Sequence, residues 1–180
     1  MTLFLRPLCL ILFWLSLPLP ALSQQEAPAA SASYPFYYDI GVKAGSFLPY
    51  DIPGVRDLLP MWGIKFGHPI SKGLIFEYDF DFAHAKEVSY NLGYFSIRHN
   101  FMIGKVIPLH FLFGADVHHY KRKPTSLTHT EFPWKVTTGW HAGVGGETQI
   151  YADLIGRMDF RMGFGPGRQL SILFSLILRI

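Results

Sequence analysis

Eight histidines are the residues of this 180-residue chain best suited to moving protons: His68, His84, His99, His110, His118, His119, His129 and His141. An imidazole beside a serine hydroxyl and an orienting acid could serve nucleophilic catalysis. The spacing does not assemble that chemistry. In Arg98-His99-Asn100 no serine follows two residues on, and Ser96 and His99 face opposite sides of a regular strand. His118 and His119 are adjacent and diverge in the same way, so a metal could recruit only one of them, with His129 from the following segment. No catalytic residue, metal site or cofactor is assigned, and the chain reads as a non-enzyme. Its single cysteine, Cys9, excludes an internal disulfide.

The charged residues carry a clearer pattern. Asp39, Lys43, Lys65, Glu77, Asp79, Asp81, Arg98, Asp116, Lys135, Arg157, Asp159, Arg161 and Arg179 fall at alternate positions within apolar segments. A period of two is the period of a strand. Leu74, Phe76, Tyr78, Phe80 and Phe82 alternate with Glu77, Asp79 and Asp81. Met158, Phe160, Met162 and Phe164 alternate with Arg157, Asp159 and Arg161. Similar segments begin near Tyr38, Trp62, Phe111, Trp134 and Leu170. A further one spans Tyr90 to Phe101, where the apolar phase changes and predicts a bulge near Gly93. Ser46–Pro60 and Lys121–Pro133 read as the long connections, and Gly145–Tyr151 as a shorter one.

About eight strands of near ten residues fit a single antiparallel up-and-down transmembrane β-barrel, all-β, over residues 37–180. Two arguments turn its apolar face outward. More than a dozen Phe, Tyr and Trp rings alternate onto that face, and an eight-stranded lumen is too narrow to hold them. That face is also nearly free of Asp, Glu, Lys and Arg, as lipid contact requires. The thirteen charges then share the lumen, where they must pair or be hydrated. Their near balance in sign points to a salt-bridged plug rather than an ion pathway. Trp62 and Trp134, near strand ends, suit an interfacial girdle.

Composition agrees. Charged residues make up 16% of the chain and hydrophobic ones 49%, against about 25% charged in soluble domains. Met1–Ser23 has the form of a cleaved export signal: Arg6, then the apolar run Leu8–Leu17, then Ala21-Leu22-Ser23. Residues 24–36, rich in Ala, Ser and Pro, read as a flexible linker. A net charge of +3 with no basic helix excludes nucleic acid as a partner. One short basic run, Lys121-Arg122-Lys123, could contact lipopolysaccharide phosphates.

The strand pattern resembles the small outer-membrane barrels of Gram-negative bacteria, the OmpA-transmembrane-domain, OmpX and OmpW-like group. The segments Asp39-Ile40-Gly41-Val42-Lys43-Ala44-Gly45 and Gly139-Trp140-His141-Ala142-Gly143-Val144-Gly145 carry the likeness, with the alternating last strand. That strand departs from the group in ending on Ile180, its last aromatic being Phe174. The resemblance implies a monomer in the outer membrane, with membrane lipids, lipopolysaccharide and the barrel-assembly machinery as partners. It implies a structural or surface-interaction role. The alternatives are an OmpW-like conduit for small or hydrophobic solutes and, behind it, a lipid A-modifying enzyme.

Overall fold

The computed structural model describes residues 37–50, 58–85, 88–103, 107–122, 132–166 and 168–180. The segments read as export signal and linker lie outside these residues, as do Lys123 and His129. Eight strands follow one another: β1 Asp39–Pro49, β2 Leu59–Ser71, β3 Leu74–His84, β4 Val88–Ile103, β5 Ile107–Arg122, β6 Lys135–Tyr151, β7 Leu154–Phe164 and β8 Gln169–Arg179. Each pairs antiparallel with its sequence neighbours. β1 pairs with β8 from Asp39↔Arg179 to Pro49↔Gln169, which closes the barrel. Closure removes the free edges that an open sheet would expose.

Inward and outward residues alternate along each strand, and the outward set is apolar and large. Phe113 is 58% exposed, Trp140 59% and Phe174 59%. The inward set holds the fully buried charges, among them Lys65, Glu77, Arg98 and Arg161. This is the reverse of a soluble barrel, whose charged groups face water and whose apolar groups face each other.

The connections differ between the two ends. At one end lie the β1–β2 and β5–β6 connections, the longest, with 85–87 and 165–168 beside them. At the other are two-residue turns, Lys72-Gly73 and Ala152-Asp153, with 104–106. Gly73 has φ +78°, a conformation that glycine adopts without steric penalty, and so allows β2 to reverse tightly into β3. Register shifts accompany both turns, between Pro69 and Ser71 and between Gln149 and Tyr151.

Three expectations are corrected here. β4 carries no bulge at Gly93: its register against β3 and β5 is continuous through Phe80↔Gly93 and Gly93↔Val117. The apolar phase changes because Val88, Tyr90, Leu92 and Tyr94 point into the barrel, while Phe95 and Ile97 point out. The long-loop end of the lumen is therefore apolar. Phe47, Leu59, Met61, Ala83 and Leu173 pack there with those four β4 residues. Second, Ser46–Pro49, Leu59, Pro60, Lys121 and Arg122 belong to strands and not to connections. Third, β6 continues through the segment read as a turn, Gly145–Tyr151. Its glycines and polar residues imitate a turn but face partners on β5 and β7.

Candidate functional site: the charged lumen

All eight strands deliver charged or polar side chains to the lumen, because each strand places every second residue there. Towards the short-turn end the chain of contacts starts at Asp39 on β1. Its carboxylate accepts from Arg98 Nη2 at 2.7 Å and from Arg179 Nε at 2.9 Å. Arg179 reaches on to Glu147 at 3.3 Å, and the ring of Tyr37 lies 4.0 Å from its guanidinium carbon. Arg98 Nη1 stands 2.9 Å from Glu77. Arg157 clamps Glu77 with both terminal nitrogens and donates from Nε to Asp159 at 2.8 Å. Lys65 Nζ donates to Asp159 at 3.1 Å and lies 3.5 Å from Glu77. His110 Nε2 completes this group, 2.6 Å from Asp159 Oδ1.

A second group sits nearer the middle. Lys43 Nζ lies 2.8 Å from both Asp79 and Asp81. Arg161 donates to Asp79 and comes within 3.8 Å of Asp159, which joins the two groups. The ring of Tyr94 separates them from the apolar end. The Arg161 guanidinium carbon is 5.1 Å and Lys43 Nζ 5.6 Å from its centroid, and its hydroxyl donates to Gln169 at 2.7 Å. Cations over a ring face gain from the quadrupole, more so where water is excluded. Paired this way, none of these charges meets an apolar environment alone, which is the condition for their burial.

The third group is different in kind. Asp116 on β5 lies 3.3 Å from His118 Nε2 and 3.4 Å from His141 Nδ1. His141 Nε2 stands 2.7 Å from Ser96 Oγ. Serine, histidine and aspartate thus stand in the order of a hydrolytic relay, from three neighbouring strands, but only the Ser96–His141 contact is a hydrogen bond. The spacing within any one strand could not reveal this, because the partners come from β4, β5 and β6. All three side chains are buried, at 1% exposure or less. A substrate would need an opening onto Ser96, and the open cavity at the short-turn end is lined elsewhere. That cavity, of about 630 Å³, is bordered by Tyr37, Glu147, Gln149, Asp153 and Arg179.

Of the thirteen residues read from the sequence as lumen charges, twelve lie in these groups: Asp39, Lys43, Lys65, Glu77, Asp79, Asp81, Arg98, Asp116, Arg157, Asp159, Arg161 and Arg179. Lys135 does not. It has the inward phase, but as the first residue of β6 it is exposed at the long-loop rim. Glu147, His110, His118 and His141 were missed. Glu147 stood in the apparent turn; alternation already puts His118 in phase with Asp116 and His141 in phase with Lys135 on the polar face, but an uncharged imidazole was not counted among the lumen charges. His68, His84 and His99 lie on the outside, and His119 stacks near Trp134 with centroids 4.3 Å apart. Lys121 and Arg122 end β5 half-buried, Arg122 lying over the ring of Phe132 at 5.9 Å.

No family model matches the chain, and no curated protein matches it in sequence. Solved structures match it in fold. The N-terminal β-barrel domain of OprF from Pseudomonas aeruginosa superposes with a TM-score of 0.61 at 9% identity, over 79% of this chain and 97% of that one. Neisserial surface protein A gives 0.60 at 10% identity, over 81% and 97%. The outer membrane protein OprG from Pseudomonas aeruginosa gives 0.57 at 9% identity, over 80% and 93%. The fold is that of the small eight-stranded outer-membrane barrels.

Proposed function

We propose that the chain is an integral outer-membrane β-barrel of a Gram-negative bacterium whose polar lumen is plugged, serving envelope structure or surface contact. The observation that carries this is the inverted polarity: large apolar side chains outside, ion pairs buried inside. An outer face of this kind is stable only against lipid or detergent. Ion pairs that cross the lumen, from Arg98 to Asp39 and Glu77 and from Lys65 to Asp159, support the plugged reading. Residues 1–23 would be the cleaved export signal, 24–36 the linker and 37–180 the barrel, acting as a monomer inserted by the assembly machinery. Lys121, Arg122 and Lys123, at and beyond the long-loop end of β5, would meet lipopolysaccharide phosphates.

The purified barrel in planar lipid bilayers tests the plug. The expected result is an inserted, heat-modifiable protein with no steady conductance. A steady current through single barrels would overturn the plug and favour the OmpW-like conduit.

A further inference from the structure

The barrel wall is incomplete at one place. β5 and β6 pair from Tyr120↔Lys135 to Leu109↔Gly146 and no further. Beyond that point Ile107 and Pro108 of β5 pair only with β4, at Ile103 and Met102. Glu147, Thr148, Gln149 and Tyr151 of β6 pair only with β7. The next rung would set Pro108 opposite Glu147, and proline has no N–H to give it. The result is a notch at the short-turn end, bounded by an open backbone edge along the last residues of β6. Among the described residues no strand covers that edge.

The notch joins two unlike surfaces. Its outer rim is apolar: Ile107 is 53% exposed and Ile150 55%, and Phe111 and Val144 continue that surface towards the middle of the barrel. Such a rim suits the level where acyl chains meet their headgroups. Open backbone groups at that level need a hydrogen-bonding partner, because hydrocarbon supplies none. Behind the rim lies the mouth cavity of about 630 Å³, bordered by Pro108 from one side of the notch and by Glu147 and Gln149 from the other, with Asp153 and Arg179. We propose that the notch binds the headgroup of a phospholipid carrying a primary amine, with its acyl chains along Ile107, Phe111 and Val144. This site rests on the outer-membrane reading above and adds to it one lipid held at a defined place.

Charge selects the amine. Arg179, the one cation bordering the cavity, already gives Nε to Asp39 at 2.9 Å and a terminal nitrogen to Glu147 at 3.3 Å, with the ring of Tyr37 4.0 Å from its guanidinium carbon. Asp153 is exposed in the β6–β7 turn and has no ion-pair partner among the described residues. The border of the cavity therefore carries a surplus negative charge. A primary ammonium supplies the opposite charge and three N–H donors, for the carboxylate and for open carbonyl oxygens of β6. The phosphate beside it accepts from open N–H groups. A choline headgroup has the charge but no donor. A glycerol headgroup brings a net negative charge towards Asp153 and Glu147.

Native mass spectrometry tests this on the purified protein in nanodiscs of equal parts phosphatidylethanolamine, phosphatidylcholine and phosphatidylglycerol. The expected result is one phosphatidylethanolamine retained per barrel in preference to the other two. Asp153→Asn is expected to weaken that retention by about fivefold, the upper worth of one exposed charge pair. Phosphatidylethanolamine with a photoreactive diazirine in its acyl chain locates the lipid, and its crosslinks are expected on residues 107–113 and 144–151. An inserted barrel that keeps no phosphatidylethanolamine, keeps the three lipids alike, or is labelled evenly around its circumference overturns the site. So does a folded Asp153→Asn variant with undiminished retention. Should that variant not fold, headgroup preference and the crosslink map of the unsubstituted protein still decide. A protein that enters no bilayer fails the membrane reading itself, and the site with it; an inserted barrel without the lipid fails only the site.

Discussion

Glu77 faces three cations, Arg98, Arg157 and Lys65, from three other strands. Replacing it with glutamine keeps the volume and removes the charge that all three share. Breaking a buried pair from one side costs about 3–5 kcal/mol, because the partner stays buried and uncompensated. Urea unfolding of Glu77→Gln refolded in vesicles is expected to show a loss of that order. A loss below about 1 kcal/mol, the level of a surface pair, would mean that water reaches the lumen. Glycine marks a second residue-scale constraint. A Cβ at Gly114 would fall on the Phe95 carbonyl oxygen of the neighbouring strand, whereas one at Gly93 meets only Phe95 Cε2, at 3.9 Å. Gly114→Ala is therefore expected to destabilise by about 2 kcal/mol or more, as overpacking against backbone does. Gly93→Ala is expected to stay within about 0.5 kcal/mol. Paired unfolding curves of the two variants check the contrast; equal losses would contradict the packing at Gly114.

β4 shows what an element adds to its residues. Its alternation never breaks, yet its chemistry inverts halfway: tyrosines and leucine point inward at the long-loop end, serine and arginine inward below. A periodicity argument that ties apolar to outward must read this inversion as a bulge, since a slip of one residue exchanges the faces. The central runs of β3 and β7, Glu77–Asp81 and Arg157–Arg161, were legible, while their ends also turn apolar residues inward, Ile75, Ala83 and Ile155. Where the lumen itself changes from ionic to apolar, the sequence shows the change but not its cause. The same reasoning explains Glu147 and Lys135. One looked like turn and is strand; the other kept the inward phase but lies at a rim where the inward direction no longer leads into protein. The Ser96–His141–Asp116 contact lay beyond sequence reasoning because it depends on register across three strands. Tyr94 tests the inward assignment of β4. Tyr94→Phe removes the hydroxyl that donates to buried Gln169 and is expected to cost about 1–3 kcal/mol. An outward tyrosine would lose nothing measurable. On the opposite face, Phe80→Arg should cost about 2–4 kcal/mol if its position lies near the bilayer midplane.

At the scale of the whole molecule the distribution of charge decides how stability responds to salt. The outer face is apolar, and the ion pairs of the lumen are shielded by the barrel wall and, at the long-loop end, by the layer around Phe47 and Tyr90. Mobile ions screen only the charges they can approach. The screening length falls from about 10 Å at 0.1 M salt to about 3 Å at 1 M. A barrel held by exposed ion pairs would weaken over that range. This one has its pairs at zero or near-zero exposure, the contacts of Arg179 with Asp39 and Glu147 at the short-turn mouth being the more open. Unfolding free energy in zwitterionic vesicles is therefore expected to change by less than about 0.5 kcal/mol between 0.1 and 1 M sodium chloride, the size of one exposed pair. Arg179→Gln should remove most of whatever change remains, because it opens the contacts that salt can reach. A drop of several kcal/mol at high salt would mean that ions enter the lumen, and the plug would then be a hydrated pathway.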